Sequence, residues 1–135
     1  MKHYFVDTNV VIDMLANREE FADAASEIFD AAGRGDICVY ISSLSYTNIY
    51  YIIRRYLGHE KTLESLKELT KHVSVLSVNE KIIKQALYSD FKDFEDAVQY
   101  YSAIQNRSVE CIVTRNVSDF KLSKLPVLKP SECLF

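Results

Sequence analysis

Tyr4-Phe5-Val6-Asp7-Thr8-Asn9-Val10-Val11-Ile12-Asp13-Met14-Leu15 begins apolar, reaches an acid and then changes period. Tyr4-Phe5-Val6 reads as a short buried strand, whereas Val10, Val11, Met14 and Leu15 recur at helical spacing. The same alternation continues down the chain. Phe21, Ala24, Ala25, Ile28 and Phe29 mark a second helix, stopped by Gly33 and Gly35. Ile37 to Ile41 is a β-branched and aromatic strand. Ser42-Ser43 then caps a helix carrying Leu44, Ile49, Tyr50, Ile52 and Ile53 that ends near Gly58; Leu63, Leu66 and Leu69 mark another. Val73 to Val78 reads as a third strand, with Asn79 capping a helix through Ile82, Ile83, Ala86 and Leu87. A helix starts at Asp93 or Phe94 and runs to about Asn106. Cys111-Ile112-Val113 is a fourth strand and Val127-Leu128 a fifth.

Short strands alternating with helices imply right-handed crossovers. The predicted fold is therefore α/β: a three-layer α/β/α sandwich around a central, mostly parallel five-stranded sheet. The length of 135 residues, the 48% hydrophobic content and the scarcity of glycine and proline predict a single domain over 1–135. No apolar run is long enough to cross a bilayer, and the first apolar patch meets Asp7 too soon for a signal peptide. The chain reads as cytoplasmic. Cys38, Cys111 and Cys133 are odd in number and far apart, which argues against a disulfide framework or zinc knuckle. Cys38 and Cys111 are expected as buried thiols in apolar runs.

In a parallel sheet the binding crevice lies beyond the carboxyl ends of the strands. Three groups of oxygen-bearing side chains fall there. Asp7 follows the first strand directly; alone, it would pass for a helix cap. Asp93 and Asp96, three apart at a helix start, share a face, and Glu95 is expected to point elsewhere. The helix dipole favours such acids, but Asp96 borders the apolar stripe of Ala97, Val98, Tyr101 and Ile104, where an unpaired acid is costly. Asn116 and Asp119 follow the fourth strand; for Asp119 a plain surface loop is an equal reading. Hard cations such as Mg²⁺ take oxygen ligands, one or two of them carboxylates. His3, His59 and His72 show no ligand spacing, and no glycine-rich phosphate loop exists. A net charge of −3 runs mildly against a nucleic-acid substrate, although a basic rim can border an acidic metal site.

These residues resemble the PIN-domain family, including the toxin halves of VapC-type toxin–antitoxin pairs. The matching pieces are Phe5-Val6-Asp7-Thr8-Asn9-Val10-Val11-Ile12-Asp13, Ile41-Ser42-Ser43-Leu44-Ser45, Asp93-Phe94-Glu95-Asp96-Ala97 with Ala103, and Ile112-Val113-Thr114-Arg115-Asn116 with Asp119-Phe120. They cover nearly the whole chain in the family's order. The resemblance implies a flavodoxin-like sandwich and a Mg²⁺- or Mn²⁺-dependent endoribonuclease, the toxin member of a pair neutralised by an antitoxin. Asp7 falls on the family's first acid and Asp96 on its third, which makes them the metal ligands the resemblance implies. The second acid's place holds Asn48 and the fourth's holds Asn116, as in a branch with asparagine at the second place. Two charges are lost, for which Asp93 and the accessory Asp119 are candidates to compensate. Weakened chemistry, leaving an RNA- or protein-binding module, is the alternative.

Arg115, Thr8 and Asn9 are candidates for contacting substrate phosphate, Arg115 because it adjoins Asn116. Lys121 and Lys124 read as solvated charge. The many tyrosines, Tyr46, Tyr50, Tyr51, Tyr56, Tyr100 and Tyr101, could stack on single-stranded RNA but sit mostly at helical spacing beside apolar residues. A homodimer face through Tyr50, Ile53 and Leu57 is plausible. An aspartate-nucleophile phosphatase fits poorly, because Asn9 holds the place where its second aspartate is wanted.

Overall fold

The structure is a computed structural model that describes residues 1–135. Five strands and five helices alternate: β1 (Lys2–Val6), α1 (Thr8–Leu15), α2 (Ala22–Gly33), β2 (Ile37–Ser42), α3 (Ser43–Thr70), β3 (Ser74–Leu76), α4 (Glu80–Leu87), α5 (Phe94–Ile104), β4 (Cys111–Val113) and β5 (Val127–Leu128). A 3-10 turn over Val117–Phe120 follows β4. The strand order is β3-β2-β1-β4-β5, and every pairing is parallel.

Side chains of β1 alternate between two cores, as a pleated strand requires. Tyr4 and Val6 join Val39, Ile41 and Val113 against α1, α2 and α3. Phe5 joins Tyr40 and Ile112 on the other face, against Tyr100 and Ala103 of α5. Both faces of the sheet are covered, giving the three layers expected.

Some boundaries moved. The third strand spans Ser74–Leu76 rather than Val73 to Val78, because it is an edge strand with only three residues paired to β2. The two helices expected around Gly58 lie within α3 but meet at a break, where Gly58 takes φ 78° and ψ 173°. That left-handed φ is open to glycine and strained for other residues. Cys38 is only partly buried; Cys111 is buried, and all three thiols are free. Ile53 is 0% exposed and lies in the core, so it cannot contribute to a dimer face. No helix is long and apolar enough to cross a membrane.

The chain moves from β1 outward to β2 and β3, then returns to lay β4 on the other side of β1. The strand order reverses between β1 and β4, and there the crevice opens. Asp7 follows β1 and Thr114 follows β4, so both stand at that reversal.

Candidate active site

Asp7 is the N-cap of α1, a place fixed by extended backbone at φ −70° and ψ 152°. Its amide donates to the Val113 carbonyl at 2.9 Å, which extends the β1–β4 pairing by one residue. The carboxylate is 7% exposed and held on both oxygens. Oδ1 accepts from the Thr8 amide at 2.8 Å and the Gln99 Nε2 amide at 3.3 Å; Oδ2 accepts from the Thr114 hydroxyl at 2.8 Å. Behind it lies a buried polar web. Gln99 Nε2 also reaches the Thr8 hydroxyl at 2.8 Å and the Ser45 hydroxyl at 3.0 Å, and those hydroxyls are 2.7 Å apart.

Asp93 caps α5 by accepting from the Asp96 amide at 3.0 Å. That bond sets the first turn, from which Asp96 and Glu95 project. Asp7, Asn9, Asn48, Asp93, Asp96, Asn116 and Asp119 line one pocket of about 490 Å³. Thr8 borders it too, although its hydroxyl is committed to Ser45 and Gln99. Glu95, expected to point elsewhere, lines the same pocket and accepts from Asn48 Nδ2 at 3.0 Å. Five carboxylic acids and no base face this space. A larger depression of about 690 Å³, bordered by Met14, Phe29, Leu69 and His72, lies away from these acids.

Arg115 stands apart. Its guanidinium grips Asp13, with Nε at 2.8 Å and Nη2 at 3.2 Å, and lies 4.4 Å from the Phe21 ring centroid. Its neighbours Thr114 and Asn116 serve the pocket, whereas its own side chain is turned away from it. β4 ends at Val113 and the chain bends at Arg115, so neighbours in sequence there do not share a direction. Residue adjacency in sequence was therefore a poor guide to Arg115. Gln99 and Thr114 were missed, although a glutamine inside the apolar stripe of α5 was a readable signal. It is fully buried, and its Oε1 is the buried side-chain atom left without a hydrogen bond. An unpaired buried polar atom is costly, and the bonds given by the Gln99 amide hydrogens to Asp7, Thr8 and Ser45 offset that cost.

Crowding of carboxylates shows in their acidity. Burial pushes the Asp7 carboxyl up to about 6, against the bonds from Thr114 and Thr8 that lower it. Asp96 is pushed up to about 7, first by burial and then by the charges of Asp7, Asp93, Asp119 and Glu95. Both acids hold protons more firmly folded than unfolded. Stability is then full below the unfolded value near 4 and is lost as pH rises through about 6 and about 7. The melting temperature of the cation-free protein is expected to fall between about pH 4 and about pH 8, and excess Mn²⁺ to remove most of that fall. A melting curve flat across that range would contradict the site's electrostatics.

No three His, Cys, Asp or Glu side chains stand close enough to hold a metal ion by themselves. The donor set nonetheless suits a hard cation, which takes carboxylate and amide oxygens and keeps part of its water shell. Asp7 and Asp96 border the same space, and no cationic side chain of the pocket competes for them.

A model of the PIN domain matches residues 3–118. Among solved structures, a toxin–antitoxin complex from Klebsiella pneumoniae is similar with a TM-score of 0.69 and 22% identity, over 96% of this chain and 99% of that one. VapBC2 from Rickettsia felis, bound to a DNA fragment from its promoter, gives a TM-score of 0.67 and 15% identity, over 94% and 98%. VapC20 from Mycobacterium tuberculosis, a sarcin-ricin loop cleaving toxin, gives 0.62 and 17%, over 81% and 86%. No curated protein matches.

Proposed function

The chain belongs to the PIN-domain family, and from that premise we propose that it is a Mg²⁺- or Mn²⁺-dependent endoribonuclease, the toxin of a toxin–antitoxin pair. One observation carries the reading: acids from three separate segments, after β1, at the start of α5 and after β4, line a single pocket where the strand order reverses. When bound, the cation activates a water and offsets charge on the phosphate under attack. The chain's own residues do the rest. Thr8, Gln99 and Thr114 fix the Asp7 carboxylate against rotation, so its orientation need not be found anew on binding. Asp93 holds the turn that presents Asp96. Asn48 and Asn116 occupy the places of two family acids, and Asn48 turns its amide to a neighbouring carboxylate, Glu95. Glu95 and Asp119 return negative charge to the pocket that the two asparagines omit. An antitoxin suited to this surface inserts a cationic side chain among the acids, as charge complementarity requires.

The test is digestion of RNA with Mn²⁺, with a chelator, and with Asp96→Asn. Cleavage in Mn²⁺ is expected, lost in the chelator and reduced at least about a hundredfold in the variant, as for removal of a charge acting in the transition state. Equal cleavage by variant and parent sinks the proposal. The asparagines favour a second reading, a binding module without turnover; it is the one left standing if calorimetry detects no Mn²⁺ binding and RNA survives.

A further inference from the structure

The five acids of the pocket are not equivalent. Asp7 is buried and held on both oxygens. Asp93 is spent on the cap of α5, taking the Asp96 amide at 3.0 Å. Asp119 stands in the 3-10 turn after β4 and also borders a neighbouring depression of about 340 Å³. Glu95 is exposed, yet it is held. Its Oε1 accepts from Asn48 Nδ2 at 3.0 Å, a bond from α3 to α5 that spans 47 positions. Glu95 and Asp7 are thus the pocket acids anchored by other side chains of the same molecule.

Consecutive residues of a helix diverge by about 100°. Glu95 would therefore leave the pocket that Asp96 faces unless something drew it back, and Asn48 does so. One exposed hydrogen bond adds little to stability, and holding a long side chain costs rotamer freedom. The fold gains little from the pair. What the pair achieves is a charged carboxylate kept beside Asp7 and Asp96, where its charge helps to push both carboxyls up. An amide at position 48 can hold Glu95 there, whereas a second carboxylate would repel it. Three acids do not yet close on a common point. Glu95 has a flexible stem and is tied through one oxygen, so Oε2 can turn to an ion while Oε1 stays on Asn48. We propose that Glu95 is a direct ligand of the divalent cation and that Asn48 is its positioning residue, so that the charge missing from α3 is supplied from α5. This rests on the nuclease reading above and adds a third carboxylate to Asp7 and Asp96.

Calorimetry with Mn²⁺ alone, on the full chain, reads affinity without any turnover. Glu95→Gln is expected to weaken binding at least about tenfold, the scale of losing a charged ligand or its support. A second variant exchanges the pair: Asn48→Asp with Glu95→Gln. Donor and acceptor trade places, the bond and the shapes are kept, and the charge moves from α5 to α3. Affinity is expected to return to within about threefold of the parent. Tb³⁺, another hard cation, separates ligation from a distant field. Tyr51 lines the pocket and is 55% exposed, so it sensitises the emission of Tb³⁺ held there. Emission lifetimes in H2O and D2O count the waters left on the ion, and Glu95→Gln should add about one. Unchanged Mn²⁺ affinity in a folded Glu95→Gln chain overturns the inference. Weaker affinity with an unaltered water count does too, because Glu95 would then act only as a nearby charge. An exchanged pair that regains no affinity also overturns it, by detaching Asn48 from the effect. A parent chain that binds no Mn²⁺ overturns the nuclease reading itself, and this inference with it.

Discussion

Asp7→Asn is expected to raise the melting temperature of the cation-free protein near pH 8 while lowering RNA cleavage at least about a thousandfold. The two effects share one cause. Asp7 is nearly sealed from water, and burial pushes its carboxyl up to about 6. Keeping it ionised at higher pH costs about 3 kcal/mol. The asparagine removes that cost with almost no change of shape. Its carbonyl oxygen can keep the bonds from Thr8 and Gln99. Its amide nitrogen must then face Thr114, whose hydroxyl now donates to Oδ2 and also accepts from the Asn116 amide at 3.1 Å. That mismatch returns part of the gain, so the net is about 1–2 kcal/mol, a rise of several degrees for a domain of this size. Cleavage is lost because a neutral amide binds a hard cation far less strongly than a carboxylate. Thermal melts with and without Mn²⁺, set beside an RNA digestion, check both halves. A variant less stable than the parent at high pH would show that the Asp7 charge is compensated from within the chain.

The second large effect is structural. Asp13 is 1% exposed at its side chain and takes two bonds from Arg115 and one from Arg18, at 3.1 Å. Asp13→Ala leaves the half-buried Arg115 cation without its partner and removes the anchor that holds it over Phe21. Breaking such a pair from one side costs about 3–5 kcal/mol when it is fully buried. Arg115 keeps some contact with water, so about 3 kcal/mol is expected, read as a shift of the urea midpoint. Cleavage should fall as well, because Arg115 is the link between Thr114 and Asn116. Replacing both partners, Asp13→Ala with Arg115→Met, removes the stranded charge and should recover more than half of the lost stability. A single variant within about 1 kcal/mol of the parent would mean that the pair is as weak as a surface ion pair.

Much of this was legible in the chain. The strand–acid–helix unit around Asp7 and the acids capping α5 follow from periodicity and from the rule that crevices open at strand ends. What escaped were directions. Arg115 looked useful because it touches Asn116 in sequence, yet the chain bends there and its guanidinium pairs with Asp13 instead. Glu95 was placed by helical spacing, but side chains of a first helical turn fan outward, and Asn48 draws this one into the pocket. Tyr50, Ile53 and Leu57 share a stripe of α3, and a stripe alone does not reveal whether a core or a partner covers it; here the core covers Ile53. The Thr114 bond to Asp7 spans 107 positions, beyond the reach of any local pattern.

That span has a consequence during synthesis. β1 is made first and ends at the middle of the sheet, with β2 on one edge and the other edge vacant until β4 arrives. A ribosome that has finished α4 has produced a chain with Asp7 but without Asp96, Gln99 or Thr114. The web that holds the Asp7 carboxylate therefore closes only once α5 and β4 have been made, and a chain stopped before them carries an unfinished pocket.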